Sequence, residues 1–362
     1  MIDVRINDQS LRELLTSPPR ITDQLNGVCR TLEISVQKAE GLVNYIGQPV
    51  ELWYYGKRWF IGLMMKRGKK SDGSISYTAY DPLYFLKKDA DDWYFKNMTA
   101  TQGFKQLAES AGVKIASLEN TGVVLPTLYY TGAEADKVAV DLLARTSTAN
   151  GKRYWYRYNP DTSNEGLRLF ENKIPSEIWA FQVGINLTSA SMEESLEQTA
   201  TIIRLVNRET GKTVTRIDTT AVKQWGPLVH FEEVDKDQAK TMDTKAQELL
   251  KNLAKVSTTI EGEGINPDGV IPQLFSGDAI YIEEPITGIM GGYYIRNITQ
   301  TFTNDSLVDI SFDVTEAPDI PTLQYTDAID KATERDKPKD DSKGVQQEYS
   351  DEVKTAIDKY GL

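Results

Sequence analysis

The chain carries one histidine, His230, and one cysteine, Cys29, in 362 residues. Those two counts decide most of the chemistry open to it. A metalloprotease or zinc amidase needs several His or Cys ligands converging on one ion, and this supply is too small. His230 lies in PLVHFEEV beside apolar residues. No Ser-His-Asp or Cys-His context surrounds it, so it reads as a packed or surface histidine. Cys29 precedes the strand-like TLEISV and reads as a small buried residue, with no disulfide partner and no thiolate cluster. Glycosidase chemistry would need two carboxylates across a cleft. With 53 acidic residues, pairs such as Glu283-Glu284 and Glu193-Glu194 arise by chance. Neighbours in a strand point to opposite faces, so Glu283-Glu284 makes a poor dyad. Gly211-Lys212 lacks the Gly-rich frame of a phosphate loop, and no GxGxxG occurs. The residues read as no enzyme, with no cofactor and no metal.

The strongest pattern is structural. Residues 276–314 read as three strands with two turns. Ile280 and Ile282 share a face, then Tyr294, Ile298 and Phe302, then Val308, Ile310, Phe312 and Val314. This is the period-two alternation of strands with one buried face. Gly288, Gly291 and Gly292 fill the first turn, and Asn304-Asp305 the second. Residues 47–80 repeat the plan: a Gly-led strand (Val50, Leu52, Tyr54), a turn at Gly56, an aromatic-led strand over 59–67, a turn at Asp72-Gly73, and a strand carrying Ile75, Tyr77 and Ala79. Few identities are shared. A structural duplication and two coincidentally similar meanders both fit the pattern.

Between and around the meanders the elements change. Residues 1–6 read as an edge strand, 10–15 as a short helix or turn stopped by Pro18-Pro19, and 30–36 as a strand. Residues 99–111 and 134–148 have helical apolar spacing, terminated by Gly112 and Asn150-Gly151. KRYWYRY at 152–158 and residues 167–170 read as a hairpin. Its Tyr and Trp could stack on bases or sugars, or pack across strands. Strands follow at 185–189, 200–207 and 214–217, then an amphipathic helix at 237–256. Past 317 the composition turns to proline and dense mixed charge, as in ERDKPKDDSKG, the mark of a linker or tail. Residues 350–360 could close it with a short helix carrying Val353, Ala356, Ile357 and Tyr360, a docking helix or a frayed end.

The formal charge of −12 argues against phosphate-backbone binding and suits a surface that nucleic acid passes without sticking. No apolar run is long enough to span a bilayer, so no membrane insertion is expected. The start, MIDVRINDQS, lacks a signal-peptide layout, which points to synthesis in the cytoplasm.

The order of these segments carries a resemblance. TLEISV, GQPVELWYYGKRWFIG, YDPLYFLKK, YFKNMTATQGFKQLAESAGV, GKRYWY, LRLFENK and SGDAIYIEEP…YYIRNITQTF follow one another over about residues 1–316. The set resembles the central baseplate hub of contractile phage tails, in the form carried by PBSX-like prophages and phage-tail bacteriocins. Its hallmarks are dispersed Gly and apolar positions, not a catalytic signature. The resemblance implies a mainly β, α+β chain with two tail-tube-like β-barrel domains, a small inserted α+β domain and an additional helix. The corresponding boundaries are 1–88 for the first barrel (completed by strands near 176–205), 89–175 for the insertion, 176–316 for the second barrel with helix 237–256, and 317–362 for the tail. It further implies a homotrimeric ring that adapts a sixfold tail tube to a threefold spike. Partners would be the tail tube protein, the central spike protein and other baseplate proteins, in a virion or phage-tail-like particle; the tail past 317 lies outside the resemblance and is expected to tether a partner such as the spike or the tape-measure protein. The competing readings are a tail-associated peptidoglycan-degrading enzyme and a carbohydrate- or cell-surface-binding β-protein.

The 59–66 strand is apolar on both faces, with Trp59, Ile61, Leu63 and Met65 against Phe60 and Met64. A half-buried strand needs one apolar face. The second must lie under another domain or subunit, or under the chain's own helices. The candidate interface residues are Trp59, Phe60, Met64, Tyr293, Tyr294, Val353 and Ile357.

Overall fold

The computed structural model describes residues 1–7, 9–25, 27–37, 45–173, 178–234 and 242–316. In chain order the first strands are β1 (Ile2–Ile6), β2 (Gln9–Ser10), β3 (Leu15–Gln24), β4 (Thr31–Gln37), β5 (Pro49–Tyr54), β6 (Lys57–Lys69) and β7 (Ser74–Tyr80). Then come α1 (Tyr84–Lys88), β8 (Ala90–Phe95), α2 (Ala100–Ser110), β9 (Ile115–Leu118), β10 (Leu128–Glu134), α3 (Ala135–Asn150), β11 (Tyr154–Asn159) and β12 (Gly166–Glu171). The second half holds β13 (Trp179–Gln182), β14 (Leu187–Ser195), β15 (Ile202–Val206), β16 (Thr213–Ile217), α4 (Thr219–Trp225), β17 (Val229–Glu233), α5 (Met242–Leu253), β18 (Ser257–Pro267), β19 (Ala279–Glu284), β20 (Ile289–Asn304) and β21 (Leu307–Glu316).

Both meanders fall in one 13-stranded sheet, ordered β14-β18-β21-β20-β3-β4-β7-β6-β5-β1-β2, with β19 and β13 branching from β20. Only β13–β19 is parallel. The expected pair of β-barrels is replaced among the described residues by an open path of pairings over a shared core. Ile2, Ile21, Tyr54, Phe60 and Met64 from the first half pack in the same cluster as Ile282, Ile298, Phe302 and Val314 from the second. The Phe302 ring lies 5.4 Å from Tyr54 and 5.5 Å from Trp59, both edge-on.

The strand that joins the halves is β3, and it corrects the sequence reading around residues 10–15. A single 3-10 turn, Arg12–Leu14, is followed by a strand that runs straight through Pro18-Pro19. The prolines are tolerated because the β3–β4 register shifts between Ser17 and Arg20, and pairing with β20 begins only at Arg20. No ladder hydrogen bond is asked of either missing N–H.

The two meanders repeat in detail. The order β3-β4-β7-β6-β5 is matched by β14-β18-β21-β20-β19, antiparallel throughout. Gly47 N donates to Met64 O (2.9 Å) and Met64 N to Gln48 O (3.0 Å); Gly277 N donates to Ile295 O (2.7 Å) and Ile295 N to Asp278 O (3.0 Å). The register against the next strand slips just beyond, between Met64 and Lys66 and between Ile295 and Asn297. Gly47 and Gly277 sit at φ 76° and 84°, a left-handed backbone that favours glycine, which is why both strands are Gly-led.

Two smaller cores flank this sheet. Around α2 and α3 pack Trp93, Phe95, Phe104, Tyr130, Leu142 and the β11–β12 hairpin. Thr99 opens α2 with a capping box to Gln102, and Gly151 closes α3 at φ 73°. The other core joins β15 (Ile203, Leu205) to α5 (Met242, Ala246) under the three-stranded sheet β16-β15-β17. The helix expected at 237–256 is described from Met242; its first residues, like the segment 317–362, lie outside the described residues.

Candidate functional site

Buried charged residues gather at the joint where the large sheet meets the α2–α3 unit. Asp23 comes from the end of β3, Arg30 precedes β4, Asp81 follows β7, Phe275 and Asp278 precede β19, and Arg157 lies on β11. They line or border a cavity of about 370 Å³. Asp23, Arg30 and Asp81 are all buried. The Asp81 carboxylate accepts the backbone N–H of Arg30 (3.0 Å) and of Leu83 (3.0 Å). Asp23 accepts the N–H of Ser276 (3.0 Å), which ties the first repeat to the second. The Arg30 guanidinium donates to Trp59 O (3.0 Å) and lies 4.6 Å from the Phe275 ring centre. Arg157 lies 4.3 Å from the same ring, so Phe275 lies against both cations, and Arg157 donates to Asp278 at 2.9 Å. A second clamp stands nearby on β6. Arg58, its side chain 6% exposed, pairs with Glu51 and with Glu165 and donates to Pro160 O at 2.7 Å.

Burial dominates the electrostatics. It pushes Asp81 up to about 7, against the two N–H donors and the nearby Arg30 charge that favour the carboxylate. Burial raises Asp23 as well, and it lowers Arg30 against the pull of Asp23 and Asp81. Cys29 lines the same cavity, and burial pushes its thiol up, with Asp81 adding to the effect. A thiol so placed is a poor nucleophile. The joint therefore holds two units in register; it does not assemble a nucleophile with a base.

The other candidate groups are dispersed. His230 Nε2 lies 3.6 Å from Glu232, which also accepts Lys245 Nζ at 2.6 Å, on the small sheet. Glu283 accepts Gln182 Nε2 at 2.5 Å, while Glu284 turns away to cap the β19–β20 hairpin through the N–H groups of Ile286 (3.0 Å) and Thr287 (2.6 Å). Glu193 and Glu194 lie exposed on β14. Among the described residues, no group of three or more His, Cys, Asp or Glu is arranged to hold a metal, and no helix is long and apolar enough to cross a membrane.

Of the candidate interface residues, Trp59, Phe60 and Met64 sit inside the shared core and not on a free face. Adjacent Trp59 and Phe60 both point inward because the β5–β6 register slips between Leu52 and Trp53, a bulge that turns one extra side chain to the core. The second apolar face is met by the chain itself, since Ile61 packs on the α2–α3 core. Tyr294 is buried and Tyr293 packs half-buried against the shared core. Val353 and Ile357 lie outside the described residues. KRYWYRY spends its aromatics internally, with Tyr154, Trp155 and Tyr158 buried. The sequence reading missed Asp23, Arg30, Asp81 and Arg58. Arg58 has one near partner in Glu51, but the pairs that build the joint lie far apart, 51 residues for Arg30–Asp81 and 107 for Arg58–Glu165, where no local spacing could signal them.

A model of the YqbQ-like family matches residues 20–313. The phage-like element PBSX protein XkdQ of Bacillus subtilis is 25% identical over 327 residues, covering 87% of this chain and 97% of that protein. Among solved structures, the 43 kDa tail protein of prophage MuSo2 from Shewanella oneidensis superposes with a TM-score of 0.64 at 16% identity, over 88% of this chain and 99% of that one. The c3393 protein of E. coli, a type VI secretion component described as similar to the T4 tail proteins gp27 and gp5, gives 0.54 at 11% identity, over 88% and 79%. The chain thus has the fold of phage tail proteins, and it belongs to the YqbQ-like family.

Proposed function

We propose that the protein is the structural hub of a contractile-tail baseplate, a trimeric ring that adapts a sixfold tail tube to a threefold spike. The observation that carries this reading is the internal repeat, two matched five-strand units fused edge to edge through β20 and β3. Three such chains present six similar units, the arithmetic that a three-to-six adaptor requires. In this reading residues 1–88 and 176–316 supply the two tube-like units, 89–175 braces them through the Arg58 and Arg157 clamps, and 317–362 tethers a partner such as the spike or tape-measure end. The work is mechanical and no reaction is assigned. The charge of −12 keeps the lumen non-adhesive to DNA.

Native mass across a concentration series tests the reading. A trimer, or a monomer–trimer equilibrium, supports it; a stable dimer overturns it. A basic lumen in an assembled ring would overturn the DNA-clearance role alone. Removing residues 317–362 should impair particle assembly while leaving the remaining fold intact.

A further inference from the structure

Among the described residues the fused repeat leaves two strand edges open, and they match each other. Inside the chain, β20 pairs with β19 along its first half and with β3 along its second, Asn297 opposite Gln24 through Thr301 opposite Arg20. The strand in the same place in the first repeat is β6. It pairs with β5 along its first half, Pro49 opposite Leu63 as Ala279 is opposite Tyr294. Beyond the bulge, residues 66–69 have β7 on one side and no strand on the other among the described residues. The strand in the place of β3 is β14. It pairs with β18, Met192 opposite Ile260 as Ile21 is opposite Leu32, and its outer edge is likewise open.

Burial marks the difference. Ile21 in the closed join is 0% exposed, whereas Met192 in the same position of β14 is 43% exposed. Charge marks it too. The open half of β6 and the residue after it read KRGKK, four cations in five residues of an acidic chain, and the open end of β14 reads MEES. Arg67 Nε is a buried donor without an acceptor among the described residues.

We propose that residues 66–70 of one copy add antiparallel to residues 191–195 of a second copy of this chain, in the register that β20 and β3 use within the chain. Carrying that register across places Arg67 opposite Glu194 and Gly68 opposite Glu193, with Lys66 and Lys70 on the diagonals of Glu193. Glu194 takes the place of the buried Asp23, and its carboxylate supplies the acceptor that Arg67 Nε lacks. Backbone ladder bonds give the contact its geometry and opposite charges select the register. The contact is head-to-tail, so it closes into a ring or propagates. It rests on the ring reading and names the seam of that ring: joins within a chain alternate with joins between chains.

The test uses the full chain with Cys29→Ser, carrying Arg67→Cys and Glu194→Cys together. On oxidation the double variant should run as a covalently closed trimer in denaturing gels, while each single variant stays monomeric there. A chain that is trimeric by native mass yet forms no such cross-link overturns the seam and leaves the hub standing. A chain monomeric at every concentration overturns the seam as a self-association site and withdraws support from the ring. Charge reversal provides the second arm. Arg67→Glu or Glu194→Arg alone should weaken trimerisation roughly tenfold, and the two combined should restore it. Singles without effect, or a combination that fails to restore, would also overturn the pairing.

Discussion

β20 and β6 hold the same place in the two repeats and differ along one edge. The distal half of β20 lies between β21 and β3 and buries Ile298 and Gln300; the distal half of β6 has β7 on one side, no strand on the other among the described residues, and keeps Lys66 and Lys69 exposed. A join with a permanent neighbour can bury uncharged polar groups, because each finds a fixed partner: Gln300 Nε2 donates to Leu274 O at 2.9 Å. An edge that spends time in water carries charge, which blunts uncontrolled pairing. On the proposed seam, composition at the two edges reports when each acquires its neighbour.

The sharpest way to break the comparison is at the aromatic cluster that both repeats share. Phe302→Ala should remove about 3 to 5 kcal/mol of stability, because the ring fills a fully enclosed site between Tyr54 and Trp59. Urea unfolding reads this directly, and a loss below about 1 kcal/mol would mean that the repeats do not depend on a common core. Next comes the pair Ile21→Ala and Met192→Ala. The first should cost about 2 to 4 kcal/mol. The second should stay within about 0.5 kcal/mol in the isolated chain. Equal costs would show that β14 is already covered.

A smaller effect concerns Asp81. Its folded value of about 7 lies above the usual carboxylate range, so the folded protein holds the proton more tightly than the unfolded chain. The stability this contributes is full below about pH 4, the ordinary carboxylate value, and is lost as the pH rises through about 7. Asp81→Asn should flatten that part of the urea-midpoint profile; an unchanged slope would refute the assignment. Smallest is Cys29, whose buried thiol should react with a thiol reagent far more slowly in the folded chain than in denaturant.

Much of this fold was legible because its signals are local. Alternation located both meanders, and apolar spacing with Thr99 and Gly151 at the ends located α2 and α3. The β3 strand was hidden by Pro18-Pro19, since a bulge that excuses two prolines is a property of the partner strand and not of the segment itself. The union of the meanders was hidden for the same reason: β20–β3 pairs residues 277 apart, such as Thr22 and Thr299. The polar joint had no signature at all. Asp23, Arg30, Asp81 and Asp278 become a cluster only after the β3–β4 connection, the end of β7 and the approach to β19 have met. The resemblance pointed to the phage-tail family that pattern alone left open, but its two separate barrels give way to one sheet among the described residues.

The pairing of β20 with β3 has a consequence for how the molecule takes a load. Its five rungs, Asn297–Gln24 to Thr301–Arg20, lie side by side along antiparallel strands. A pull along the strand axis strains all five together, as in a glued lap joint. A pull across the sheet peels them one after another. The same five residue pairs are therefore stiff in one direction and weak in the other, and a blow delivered along the strands would pass from one repeat to the next before the seam could open.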